Sequence, residues 1–363
     1  WGRHWLDVVR YADSNGLDEN VAHGHAWRYR DYVVRSLNGD KPYSLFVQEQ
    51  LAGDLLPTKD LTDRNERLVA TGFLSLGPKV LAEVDETKME MDIVDEQIDT
   101  FGKAFAGLTL GCARCHDHKF DPVTAEDYYA LAGIFKSTRT MDSFKKIAKW
   151  HEHEIPTQTQ KKQKQDYDQK VEAKNKEIAE LIKVANAALL ATKEDNAKLP
   201  AKPEEHYPEE TKSQLKNLRA ELTELKKAAP VLPAAMGVSE GTITNVPVHQ
   251  RGSHLTLGKI VPRRYPAVLT LPNQPTIPSD ASGRLQLANW LTNPNHPLTA
   301  RVIVNRVWRW HFGRGLVDST DNFGELGSDP SHPELLDWMA KRLIESDWSL
   351  KTVHRMIVIS NTY

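Results

Sequence analysis

Apolar residues recur at helical spacing through most of the first 150 positions, in runs broken by turn residues. Trp5, Val8, Val9 and Ala12 share one face of a helix that Ser14-Asn15-Gly16 should stop. The rhythm resumes from Trp27 to Leu37, ending at Asn38-Gly39, and again from Tyr43 to Leu51, ending at Gly53. Arg64 to Leu76 reads as a fourth helix. Asp85 to Ala106 reads as a longer fifth, with Ile93, Ile98, Phe101 and Phe105 turned inward. Its first part carries Glu83, Asp85, Glu86, Glu90, Asp92, Asp95, Glu96 and Asp99 against the single Lys88. Acids are favoured at a helix N-terminus by the backbone dipole, so a solvated acidic face accounts for them, with a cation site as the alternative.

From Pro156 to Ala229 the composition turns abruptly to Lys, Glu, Gln and Ala. Tyr167, Val171, Lys174, Ile178, Leu181, Ala185 and Ala188 follow alternating steps of four and three, with Lys174 breaking the apolar seam; Leu215, Leu218, Leu222, Leu225 and Ala229 keep the rhythm unbroken. Pro200-Ala201-Lys202-Pro203 and Tyr207-Pro208 cannot continue a helix, which predicts two antiparallel helices joined at a Pro-rich tip, a coiled-coil arm serving as a spacer or as a docking site for another protein. Thr242 to Leu271 holds β-branched residues in short runs broken by Pro and Gly, the pattern of short strands and extended loops. Helices return over Gly283–Leu291, Leu298–Phe312, a capping-box start at Ser331-His332-Pro333-Glu334 running to Glu345, and a last one from Ser349. The expected architecture is mainly α. A helical domain spans 1–155, the arm 156–229, an extended or β connecting segment 230–281, and a C-terminal helical domain 282–363.

Composition narrows the function classes. With 47 Lys+Arg against 49 Asp+Glu, a net charge of −2 and 40% apolar residues, the 363-residue chain is ordinary globular protein with no global field for nucleic acid. No stretch approaches the ~18–20 apolar residues of a membrane helix. The chain opens on Trp1 without Met and closes just after an apolar helical pattern, so we expect both ends to belong to something longer, with any signal peptide outside it.

The two cysteines exclude a disulfide-stapled scaffold, and both fall in Gly111-Cys112-Ala113-Arg114-Cys115-His116-Asp117-His118-Lys119-Phe120-Asp121-Pro122. Cys-x-x-Cys-His is the attachment pattern of c-type haem: two thiols one helical turn apart form thioethers to the vinyl groups, and the adjacent imidazole is the proximal iron ligand. Cys112, Cys115, His116 and His118 are alternatively a zinc set, although structural zinc sites usually join two separated ligand pairs. A redox disulfide and a buried structural pair are further readings, but no βαβ pattern surrounds the cysteines. Spacing does not identify a distal haem ligand. Met89 and Met91 on the preceding helix are candidates, His23, His25, His151, His153 and His311 are equally open, and His118 is better placed as a hydrogen-bonded neighbour of the site.

Other constellations are less specific. Arg301, Arg306, Arg309 and Arg314 interleave with Trp308, Trp310, His311 and Phe312, which reads as an amphipathic core helix with Ile303, Val307 and Trp310 on one face and Arg301, Asn305 and Arg309 on another. His23, His25, Trp27, Arg28 and Arg30 form a loop and salt-bridged helix, or line a polar pocket for haem propionates. Neither a Gly-rich phosphate loop nor a Gly-x-Ser-x-Gly elbow is present.

Trp1-Gly2-Arg3-His4-Trp5-Leu6-Asp7-Val8, Trp27-Arg28-Tyr29-Arg30-Asp31-Tyr32, Glu49-Gln50-Leu51-Ala52-Gly53-Asp54 and the Gly111–Pro122 stretch together resemble the planctomycete-type cytochrome-like (PSCyt) domain. Arg284 to Tyr363, with Asn305-Arg306-Val307-Trp308 and Asp321-Asn322-Phe323-Gly324, resembles the PSD domain that follows it in the same proteins. Both domains are of unknown function. The resemblance implies export, a frequent extra c-type cytochrome domain upstream, and bacteria rich in sulfatases and polysaccharide-degrading enzymes. The reading that follows is an extracytoplasmic, periplasmic or cell-surface, c-type haem protein. It would serve in electron transfer or as a redox centre with a partner protein, linked to extracellular polysaccharide metabolism. The competing reading is a non-redox surface scaffold that binds a partner or glycan through the arm and C-terminal domain and holds structural zinc at the Cys/His cluster. Whether either is an enzyme stays open.

Overall fold

In the computed structural model, which describes residues 1–17, 19–145, 147–191 and 198–363, the chain is about 54% helical with a few short antiparallel strands, so mainly α. Helices α1 (Gly2–Val8), α2 (Ala26–Asn38), α3 (Tyr43–Ala52), α4 (Leu61–Ala70), α5 (Glu86–Phe101) and α6 (Ala125–Lys136) come first. Strands β1 (Thr138–Arg139), β2 (Met141–Ser143), β3 (Lys149–Trp150) and β4 (Glu152–Glu154) lead to the long helices α7 (Gln158–Ala191) and α8 (Glu209–Lys227). Strands β5 (Ala234–Met236), β6 (Ser239–Glu240), β7 (Val246–His249) and β8 (Leu257–Val261) precede α9 (Arg284–Leu291), α10 (Thr299–Phe312), α11 (Pro333–Glu345) and α12 (Leu350–Val358). Contacts divide the chain into one compact unit of residues 1–153 with 234–363, and a second of residues 154–233.

Several elements differ from the periodicity reading for local reasons. Helix α1 stops at Val8 because Arg10 takes the left-handed conformation, φ 50°, and the Tyr11 N–H turns back to Leu6 O. Helix α5 widens into a π-helical turn over Gly102–Ala106 and ends at Gly107, φ 60°, where a Cβ would meet Val302 and Phe323. Periodicity does not predict α6 at all, since Tyr128 through Phe135 are buried on every side and leave no amphipathic rhythm. Its start is nonetheless encoded, by the reciprocal capping box of Thr124 and Asp127. At α11 the expected Ser331 cap is not formed. His332 is the N-cap, Pro333 fills the first turn, and the Ser331 hydroxyl donates to Leu316 O. On α10, Asn305 and Arg306 are both buried: Asn305 accepts from Val317 N–H and donates to Val317 O, both at 2.8 Å.

The first unit is knit by buried polar side chains among aromatic rings. Gln50 Oε1 accepts from Trp5 Nε1–H at 3.0 Å and Tyr29 OH at 2.5 Å, and Glu49 accepts from Tyr32 OH at 2.7 Å. Two arginines reach from the C-terminal helices. Arg284, fully buried, donates to both oxygens of Asp54 at 2.7 and 2.8 Å and to Leu51 O, while Arg306 donates to Ala104 O, Lys103 O and Asp321. Strand pairs β1–β6, β2–β3 and β7–β8 are antiparallel.

In the second unit α7 and α8 pack against each other, burying Ala185, Tyr207 and Leu215 with Ile178, Leu181, Ile182 and Leu189 around them. Lys174 sits on the seam and its ammonium spans to Glu221 at 2.9 Å, which keeps the charge solvated while the stem covers apolar surface. Residues 192–197, within the span expected as the arm, lie outside the described residues.

Replacing Arg284 with Leu leaves the Asp54 carboxylate buried without its cation, so urea unfolding should show a loss of about 3–5 kcal/mol. The double replacement Arg284→Leu with Asp54→Leu should recover most of it. A second expectation concerns pH. His296 is buried against Trp290, its Nδ1 accepting from the Leu298 and Thr299 N–H groups, and burial pushes its pKa down from 6.5 to about 3. The unfolded chain therefore binds the extra proton, and this share of stability is complete above about pH 6.5 and lost as pH falls toward 3. His296→Asn keeps an acceptor at that end of α10 and removes the titration, so its unfolding midpoint should fall less than the wild type's between pH 7 and pH 4.

Candidate functional site

The cysteine segment is a tight 3-10 turn, Leu110–Arg114, that follows the π-helical end of α5. Leu110 and Ala113 point into the core, which turns Cys112 and Cys115 outward; both are exposed, free thiols. The turn is pinned from behind. Arg114 donates to Asp92 at 2.7 Å and Asp95 at 3.1 Å on α5, and its carbonyl accepts from Tyr129 OH of α6 at 2.8 Å. Burial works against the Arg114 charge, but the bond to Asp92 and the field of Asp95 outweigh it and raise its pKa.

The acidic face of α5 is thereby accounted for as ion pairs. Glu83 and Asp92 hold Lys88, Glu90 holds Lys136, Glu96 holds Arg10 and Asp99 holds Lys103. Asp85 caps the helix through Lys88 N–H and meets His254 Nε2 at 2.8 Å.

The two histidines of the segment are used differently. His116 is exposed, and its Nδ1–H donates to Asp117 O at 2.7 Å, which leaves Nε2 as the unprotonated nitrogen. His118 is largely buried, with Nδ1 accepting the Asp121 N–H at 2.8 Å and the Phe120 N–H at 3.4 Å, so that Nε2 carries its proton toward Thr109 Oγ1 at 3.5 Å. Among the described residues, no three His, Cys, Asp or Glu side chains are grouped to hold a metal ion. Cys112, Cys115, His116 and His118 thus do not converge as four ligands.

The other candidates lie in settled surroundings. Met89 and Met91 are buried, Met89 in a cluster with Leu81, Ile93, Met141 and Ala148. His23 packs edge-on to Trp150, His25 meets Glu152 at 3.0 Å, and His151 meets Asp142 at 2.7 Å. His153 donates to Val238 O and His311 pairs with His354 at 2.9 Å.

Sequence reasoning misses the far wall of the site. The turn between β7 and β8 lies on the cysteines: a Cβ on Gly252, φ 77°, would stand 2.7 Å from Cys115 Sγ. Next to it His249 is buried, its ring 5.0 Å from that of Tyr129, its Nδ1 without a partner, and burial pushes its pKa down to about 4. No spacing rule links residues so far apart. The signal within reach is Gln250-Arg251-Gly252-Ser253, a polar glycine turn between β-branched runs.

Residues 1–140 match the family PSCyt2, described as a protein of unknown function (DUF1549), and residues 283–363 match PSD1, described as a protein of unknown function (DUF1553). The chain belongs to the proteins that carry these two domains in that order. No curated protein and no solved structure matches it. Apart from the cysteine segment, the stretches that carry the family likeness hold core residues: Trp5, Tyr29, Gln50, Asp54, Arg284 and Arg306 are the hydrogen-bonded interior described above.

Reduced, cofactor-free protein should titrate two thiols per chain with Ellman's reagent in the absence of denaturant. Gly252→Ala places a side chain in left-handed backbone against Cys115. It should cost about 1–2 kcal/mol and change the modification rate of Cys115 more than that of Cys112, read by mass spectrometry of the labelled peptides.

Proposed function

We propose that Cys112, Cys115 and His116 attach a c-type haem, and that the protein is an exported electron carrier or redox centre. The observation that carries the reading is the donor set itself. Two free thiols stand on the outer side of one short turn, and the next imidazole has Nδ1–H held by a backbone carbonyl and Nε2 free of its proton, the tautomer in which a histidine binds iron. Bound there, haem would supply one-electron chemistry at the protein surface. The chain's part is to hold the attachment points still. Arg114 fixes the turn to α5, Tyr129 fixes it to α6, and the Asp117 carbonyl orients the His116 ring.

Export and a link to extracellular polysaccharide metabolism rest on the family resemblance. We take the α7–α8 pair as an antiparallel coiled-coil arm that docks a partner protein, a reading supported by its narrow apolar seam and otherwise charged surface. A zinc site in the same segment is the poorer fit, because His118 Nδ1 already accepts two backbone N–H groups that would lose their partner.

Protein expressed with haem-maturation machinery in an extracytoplasmic compartment should keep a Soret band after denaturation and acid-acetone extraction. Cys112→Ser or Cys115→Ser should weaken retention by removing one thioether, and His116→Ala should alter the spectrum even where attachment survives. Wild-type spectra from all three variants, or stoichiometric zinc without a Soret band, would overturn the assignment.

A further inference from the structure

The short strands of the first unit bring together three side chains that lie far apart in the sequence. Asp142 is on β2, His151 is the residue between β3 and β4, and Ser239 opens β6. His151 Nδ1–H donates to Asp142 Oδ1 at 2.7 Å, which leaves Nε2 as the acceptor facing Ser239 Oγ at 3.4 Å. A hydroxyl, an imidazole whose free nitrogen faces it, and a carboxylate that fixes the imidazole's tautomer are the parts of an activated nucleophile, and such a set is recognised by geometry rather than by chain position. The spacing of hydroxyl and imidazole is that of a nucleophile and base before substrate draws them together.

The backbone around each group is held. His151 N–H donates to Thr140 O at 2.8 Å, and the His151 carbonyl accepts the Gly237 N–H at 3.3 Å. Ser239 stands between two pinned neighbours. Val238 N–H donates to Thr71 Oγ1 at 3.1 Å and Val238 O accepts from His153 Nε2 at 2.8 Å, while the Glu240 carboxylate accepts from Ser282 N–H at 2.9 Å and Ser282 Oγ at 2.7 Å. Arg139 donates to the same oxygen of Asp142 at 2.7 Å and adds a second anchor to that carboxylate. His153 packs edge-on to His151, ring centroids 4.8 Å apart, and burial holds its pKa below the ordinary value, so it stays neutral and does not oppose charge arriving on His151. The set is open to solvent: the His151 side chain is 12% exposed, Asp142 41%, and Ser239 is half-buried. Asp142 also lines a cleft of about 480 Å³ with Val21, Ile147, Ala148 and Trp150 as apolar walls, a volume that suits a small ligand.

We propose that Ser239, His151 and Asp142 form a hydrolytic centre for carboxylic esters with an apolar acyl group. Ser239 Oγ attacks the ester carbonyl carbon as its proton passes to His151 Nε2. The bond from that carbon to the alcohol oxygen breaks, the alcohol leaves with the proton, and the acyl group remains on Oγ. Water then gives a proton to the same nitrogen and adds to the acyl carbon; the bond from that carbon to Oγ breaks, Oγ regains the proton, and the carboxylic acid leaves. Asp142 is a positioning residue that holds the tautomer and steadies the imidazolium. The centre uses neither cysteine nor His116, so it is independent of haem attachment.

The test uses the full chain, its thiols capped with iodoacetamide so that Cys112 and Cys115 cleave no ester, with a fluorophosphonate probe and p-nitrophenyl butyrate. Peptide mass spectrometry should place the phosphonyl adduct on Ser239. Ser239→Ala should lose at least about 100-fold in kcat/KM for the ester, and His151→Gln a similar factor in labelling rate. Asp142→Asn should lower kcat by about tenfold or more at little-changed KM, with Asp142→Glu restoring part of it. A native chain without an adduct on Ser239, ester turnover unchanged by Ser239→Ala, labelling unchanged by His151→Gln, or wild-type kcat in Asp142→Asn would overturn the proposal, and the first two do not depend on how the His151 and Asp142 variants fold.

Discussion

A guanidinium cannot give up its proton and cannot be left without acceptors in a protein interior, and two of them, Arg284 and Arg306, set the terms for the first unit. Both belong to the C-terminal family segment, and both find their acceptors in the N-terminal one: Arg284 at Asp54 and Leu51 O, Arg306 at Lys103 O and Ala104 O. Those two carbonyls are among the last of α5, where a helix end leaves acceptors without intrahelical partners. Each segment therefore completes the other's polar bookkeeping. The PSCyt2 and PSD1 matches mark two stretches of sequence inside a single contact unit.

From the Arg306 anchor the path to the candidate chemistry is short. The π-helical turn that offers Lys103 O and Ala104 O ends at Gly107, whose carbonyl accepts Phe323 N–H, and three residues later the cysteine turn begins at Leu110. The same few residues thus fix where the thiols stand and where the Phe323–Gly324 turn stands. A left-handed glycine at 107 is what allows both, because a side chain there would meet Val302 and Phe323.

The helices with one apolar face, α2, α10 and α12, are legible in the sequence because a half-buried helix writes its period into the residues. Helix α6 is illegible by that route for the opposite reason, since burial on all sides erases the period, and only Thr124 and Asp127 announce its start. Asn305 and Arg306 belong to a helix whose amphipathic character is legible, but their partners, Val317 and the end of α5, are contributed by chain that no local pattern connects to α10. At the cysteines the chemistry is legible and the surroundings are not. Five consecutive residues suffice to suggest haem, whereas the Gly252 turn that lies on Cys115 and the Asp92–Arg114–Asp95 clasp depend on pairings that only the folded chain makes.

His118 joins the cysteine turn to the loop that follows it. It follows His116 by two positions, and its Nδ1 gathers the N–H groups of Phe120 and Asp121, giving the loop its curl. The Asp121 carboxylate in turn accepts the Glu325 N–H at 2.7 Å, which ties this loop to the chain after α10. The other end of the loop carries His116, the proposed iron ligand, with Asp117 Oδ1 accepting the Ala125 N–H of α6 between them. Hydrogen bonds at Asp117, His118 and Asp121 thus hold this loop to α6, to itself and to the chain after α10. His116 is therefore placed by pairings that Asp117 and Asp121 make outside the Cys-x-x-Cys-His pentapeptide, which is why the motif carries the chemistry and not the geometry.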